Sequence, residues 1–97
     1  LADMKTKIEA SRMLTWKSAA EGDAGVRNTE SAAHAKRFAS DTAMEVTTDA
    51  VPVYGGYGYS EEYPVARLMR GAKVMQIYEG SSQVQRMIIG REITKDL

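Results

Sequence analysis

The chain has no cysteine, one histidine and two prolines in 97 residues. Without a thiol, disulfide scaffolds, thiolate zinc sites, iron–sulfur clusters and cysteine nucleophiles are excluded. His34 alone cannot build a histidine metal cluster, so no metal is expected. Charge of one sign is also lacking, since 13 basic side chains balance 13 acidic ones. A zero net charge gives no long-range field to gather nucleic acid or an anionic membrane surface. No apolar run approaches the roughly 20 residues that span a bilayer, so membrane insertion is not expected. The opening Leu1-Ala2-Asp3-Met4-Lys5 reads as helix rather than as a basic, cleavable leader. The segment reads as soluble and intracellular, and the absence of an initiator methionine at position 1 suggests a piece of a longer protein.

What is present favours helix. Alanine, glutamate, lysine, arginine and methionine abound, and valine and isoleucine never alternate between turn residues as strands require. Leu1 to about Glu21 carries neither glycine nor proline. Leu1, Met4, Ile8, Met13, Leu14, Trp16 and Ala20 recur there at roughly three- and four-residue spacing, which predicts one amphipathic helix. Gly22 to Gly25 end it. Asn28-Thr29-Glu30 supplies a polar start for a second helix running to about Val51, with Ala32, Ala33, Ala35, Phe38, Ala39, Ala43, Val46 and Ala50 as packing positions. The glycine segment Gly55-Gly56-Tyr57-Gly58-Tyr59 forces a loop, and Pro64 opens a third helix to about Met75. Gly80-Ser81-Ser82 breaks the chain again. Ser82 and Gln85 fit a capping box for a fourth helix to about Thr94, with Val84, Met87, Ile88 and Ile89 inward. The expected fold is all-α, an up-and-down antiparallel four-helix bundle.

Few residues carry chemistry on spacing alone. Gly56-x-Gly58 has Glu61 where the dinucleotide fingerprint needs its third glycine, and no strand precedes it. A tight interhelical loop explains it better. Arg67, Arg70 and Lys73 have the spacing of a solvated helix face, Glu61 and Glu62 suit a helix N-terminus, and His34 lacks triad partners. Glu79, between Tyr78 and Gly80 at the mouth of a helix, is the one carboxylate placed to act as a base. On physical grounds alone a plain helix-flanking role is the preferred reading of Glu79.

The ordered motifs add more. Gln76-Ile77-Tyr78-Glu79-Gly80-Ser81-Ser82-Gln83-Val84-Gln85-Arg86 resembles the signature near the C-terminus of acyl-CoA dehydrogenases. Ala50-Val51, Gly55 to Tyr59, Glu62-Tyr63-Pro64-Val65, Arg70-Gly71-Ala72-Lys73 and Arg27-Asn28-Thr29 match the same family in register. Gln83 and the glycine run resemble the medium-chain type most. The resemblance implies that residues 1–97 form most of the family's C-terminal helical domain, with the N-terminal helical and central β-domains lying outside this chain.

By the same resemblance, the parent enzyme uses FAD to dehydrogenate acyl-CoA thioesters at the α,β-positions, in fatty acid β-oxidation. Glu79 takes the place of the base. Ser81, Ser82 and Gln83 match the segment that touches FAD, and Gly55 and Gly56 match a loop that meets the FAD of a neighbouring subunit. Tyr78 and Gly80 match positions beside the thioester, and Arg91 a position associated with the CoA end. The resemblance further implies a homo-oligomer (a tetramer built as a dimer of dimers), with electron-transfer flavoprotein as electron acceptor. The implied location is the mitochondrial matrix in a eukaryote or the cytoplasm in a bacterium. Pro52 replaces the family's usual glutamine and Gly71 its aspartate. In a helix interior these cost about 3 and about 1 kcal/mol relative to alanine, and Pro52 is expected to end or kink the second helix early. The rival reading is a helical interaction or scaffold module derived from the family and without catalysis.

Overall fold

The computed structural model describes residues 1–53 and 64–95. The described residues form four helices, α1 (Ala2–Asp23), α2 (Thr29–Val53), α3 (Pro64–Met75) and α4 (Ser82–Thr94), and no strand. The expected all-α architecture is what the chain forms. No described helix is long and apolar enough to cross a membrane.

Local chemistry sets the boundaries. After Ala24, Gly25 turns left-handed at φ 74°. The Gly25 amide then donates to the Gly22 carbonyl at 3.1 Å and the Val26 amide to the Glu21 carbonyl at 2.9 Å. This is the double closure that glycine permits at a helix end. The Asn28 amide nitrogen donates to the Ser18 carbonyl at 3.0 Å, and the Ser31 hydroxyl donates to Glu21 at 2.8 Å. Together they fold α2 back along α1.

α2 organises the rest. α1, α3 and α4 each pack on α2 and, among the described residues, not on one another. The buried apolar residues are all small: Ala33, Ala35, Val51, Val65, Ala66 and Ala72. No large side chain is fully buried among the described residues. Small residues on α2 and α3 let the backbones approach, but they remove little apolar area from water.

Three expectations change. The half-buried stripe of α1 runs through Met4, Lys7, Ser11, Leu14, Ser18 and Glu21 and is largely polar, while Glu9 is half-buried apart from it, between Lys5 and Arg12. Leu1, Ile8, Met13, Trp16 and Ala20 are exposed, because at 100° per residue they fan around the helix rather than share a face. Lys7 pairs with Glu45 across the α1–α2 seam, and that bond raises the Lys7 pKa above its ordinary value. On α2, Ala32 and Phe38 are exposed. On α4, Val84 and Met87 are exposed, while Ser82, Gln85 and Glu92 are buried. Finally, α2 continues through Pro52 to Val53. The hydrogen bond that Pro52 cannot make would have gone to the carbonyl of Thr48, an exposed residue where water can substitute.

Candidate active site

The turn from Gln76 to Ser82 joins α3 to α4 and carries Glu79 at its tip. The Ile77 and Tyr78 amides donate back to the Val74 carbonyl at 3.0 and 3.1 Å, which finishes α3. The Ser82 amide donates to the Gln76 carbonyl at 3.1 Å and closes the turn. Closure in so few residues needs left-handed backbone. Glu79 adopts φ 55° and Gly80 φ 94°. Glu79 is the only described non-glycine residue with positive φ, a conformation that costs of order 1–3 kcal/mol and gathers at functional sites. At Gly80 the φ of 94° strains any other side chain, and a Cβ would also displace the end of the Gln85 side chain, 2.5 Å away. The Glu79 carboxylate faces solvent, and its main-chain amide has no acceptor among the described residues.

The N-cap of α4 is Ser81 rather than Ser82. The Ser81 oxygen accepts from the Val84 amide at 3.3 Å. The Gln85 side-chain amide donates back to the Gly80 carbonyl, also at 3.3 Å, so the expected Ser82–Gln85 capping box does not form: the helix has a simple serine cap at Ser81, and Gln85 braces the residue before it. Ser82 is turned inward, where its hydroxyl donates to Asp41 Oδ1 at 2.8 Å. The same oxygen accepts from the Gln76 amide nitrogen at 2.9 Å. Arg86 lies 3.9 Å from the other Asp41 oxygen. Lys36, also on α2, donates to the Met75 carbonyl at 2.6 Å and sits 4.8 Å from the centre of the Tyr78 ring. α2 therefore grips the turn on both sides.

An open cleft of about 490 Å³ lies beside the turn, lined among others by Asp41, Lys73, Ile77, Ser81, Gln83 and Arg86. Hydroxyl, amide and cationic donors in one cleft suit the polar, phosphate-bearing parts of a dinucleotide such as FAD. The structure thus brings Tyr78, Glu79, Gly80, Ser81, Ser82 and Gln83 together. It does not bring Arg91 to them. That residue is exposed in the last turn of α4, about 13 Å along the helix axis from Ser82 at 1.5 Å per residue. Gly55 and Gly56 lie outside the described residues. His34 sits 3.4 Å from Glu30, and no cluster able to hold a metal occurs among the described residues. Asp41, Gln76 and Lys36 escaped sequence reasoning. The only hint for Asp41 is its place between Ser40 and Thr42 on an otherwise alanine-rich helix.

The family model for the acyl-CoA dehydrogenase C-terminal domain matches residues 1–94. The chain belongs to the acyl-CoA dehydrogenase family. It is 61% identical over 90 residues to the short-chain-specific acyl-CoA dehydrogenase of Megasphaera elsdenii, covering 93% of this chain and 24% of that protein. It is 55% identical over 96 residues to cyclohexane-1-carbonyl-CoA dehydrogenase of Geobacter metallireducens, covering 99% and 25%. The solved butyryl-CoA dehydrogenase of Megasphaera elsdenii superimposes with a TM-score of 0.93 at 59% identity, over 95% of this chain and 24% of that one. A chain from a structural study of the electron transferring flavoprotein of Acidaminococcus fermentans superimposes with a TM-score of 0.96 at 55% identity, over 98% and 25%. The acyl-CoA dehydrogenase segment described here thus spans about a quarter of the length of the relatives it matches. Those relatives are named for short and alicyclic acyl groups, not for the medium-chain type that Gln83 and the glycine run resemble.

Proposed function

We propose that this chain is the C-terminal part of an FAD-dependent acyl-CoA dehydrogenase and supplies its catalytic base, Glu79. The observation that carries the proposal is the strained, glycine-backed turn holding an exposed carboxylate at φ 55° beside a polar cleft. The α-proton of a thioester is weakly acidic, so its acceptor must be held within hydrogen-bond reach and in fixed orientation. The left-handed backbone sets the direction of the Glu79 Cα–Cβ bond relative to its own amide, which has no acceptor among the described residues. One residue can then accept the proton while its N–H donates to the thioester carbonyl, where charge develops. Ile77 and Tyr78, the two residues before Glu79, are exposed and suit an acyl chain that displaces water. Ser81, Gln83 and Arg86 would hold the cofactor, with Ser82 acting from beneath through Asp41. Bound FAD supplies the acceptor for the β-hydrogen, which leaves as hydride while the α,β-double bond forms.

The names of the relatives support a short or compact acyl group, and their bacterial sources support a cytoplasmic setting. The resemblance at Gly55 and Gly56 supports a homo-oligomer that shares its cofactor sites, with Arg91 reaching the CoA end and an electron-transfer flavoprotein as acceptor. Rapid mixing of full-length enzyme with saturating butyryl-CoA tests the reading. Glu79→Gln should slow flavin bleaching by about 100-fold or more while substrate still binds. A rate within about tenfold of the parent would place the base elsewhere.

A further inference from the structure

We infer that Asp41 is a positioning residue for Glu79, a role that rests on the reading of Glu79 as the base. One carboxylate oxygen of Asp41 accepts from Gln76 at 2.9 Å and from Ser82 at 2.8 Å. These residues stand three before and three after Glu79, at the two feet of its turn. The feet also meet each other through the Ser82 amide and the Gln76 carbonyl, so Asp41 completes a three-way junction under the tip. It does so from α2, the one helix that packs against all the others. The Glu79 backbone occupies a disfavoured region, and such a conformation persists only where its surroundings over-determine it. Nothing else described ties both feet to the α2 scaffold. Lys36 holds only the α3 side, at Met75 and Tyr78. Asp41 does not touch the tip, and its second oxygen looks towards Arg86 at 3.9 Å. Asp41 also borders the cleft assigned to the cofactor, so a loss of rate at full flavin occupancy is what marks an effect through the turn.

The test uses full-length, flavin-loaded enzyme and compares Asp41→Ala, Asp41→Asn and Glu79→Gln. Asparagine keeps an oxygen that accepts from both Gln76 and Ser82, whereas alanine keeps none. Asp41→Ala should lower kcat about 10- to 100-fold with KM little changed, because a displaced base costs rate more than binding. Asp41→Asn should retain kcat within about threefold of the parent. Amide hydrogen exchange over residues 77–82 should accelerate in Asp41→Ala and not in Asp41→Asn, while the centre of α1 is unchanged. If Asp41→Ala fails to fold, Gln76→Ala removes one of the two donors and should give an intermediate loss of kcat with the same exchange pattern. Full kcat in Asp41→Ala, or in Gln76→Ala where that variant stands in, alongside an inactive Glu79→Gln, would overturn the inference and leave the base in place. So would equal losses in the alanine and asparagine forms. An active Glu79→Gln would instead remove the reading on which the inference rests.

Discussion

The Arg27 guanidinium donates to the Glu92 carboxylate at 2.8 Å across 65 residues of sequence, tying the α1–α2 loop to the last helix. Lys95 donates to the other oxygen of Glu92, also at 2.8 Å. The Lys95 hydrogen bond, followed by the nearby Arg27 charge, holds the Glu92 carboxyl below its ordinary value of 4.5, against the opposing effect of burial. A carboxyl lowered on folding stabilises the fold above its unfolded pKa and loses that contribution as pH falls through the lower folded value. Glu92→Gln should therefore destabilise the full-length protein near neutral pH. The difference should shrink steadily below about pH 4.5 and vanish under the folded pKa. Thermal unfolding of both forms across that range measures it. A gap that stays constant with pH would mean the carboxylate charge is irrelevant.

Gly71 lies inside α3, is exposed, and has nothing within 4 Å of where a Cβ would stand. No close approach or positive φ requires glycine there, so it only weakens the helix. Gly71→Ala should stabilise α3 locally by about 1 kcal/mol, slowing exchange of its amides about fivefold. Unchanged or faster exchange would show that the groove lined by Ala43, Leu68 and Met75 needs the missing side chain to stay open.

Among the described residues the buried apolar side chains are all alanine or valine, and Trp16, Leu68, Ile77 and Met87 are exposed. Such a core does not offset the entropy of ordering four helices. The isolated 97-residue chain should give a helical far-ultraviolet signal with a broad, poorly cooperative melt, and it should bind hydrophobic dye. A single sharp transition without dye binding would contradict this.

The helix boundaries were legible because their causes are local. Glycine at Gly25 and Gly80, proline at Pro64 and the serines before Val84 act on their own few residues. Which face each helix buries was not legible. Apolar spacing placed Ile8, Trp16, Val84 and Met87 inward, yet all four are exposed. The polar seam of Lys7, Ser11 and Ser18 faces α2 because geometry, not hydropathy, selects it. Pro52 misled for a related reason, since its cost depends on whether Thr48 meets water. Glu79, the proposed base, is marked in the sequence by its motif, and the structure adds its positive φ. Asp41 was not legible, because its meaning lies in two partners 35 and 41 residues away.

The central claim is that Glu79 removes the α-proton. An acyl-CoA analogue with sulfur in place of the β-carbon cannot lose hydride, so exchange of its α-hydrogens with heavy water isolates proton transfer from flavin reduction. Full-length enzyme should exchange them readily, and Glu79→Gln should do so at least about 100-fold more slowly while binding the analogue comparably. Equal exchange rates in the two proteins would contradict the account.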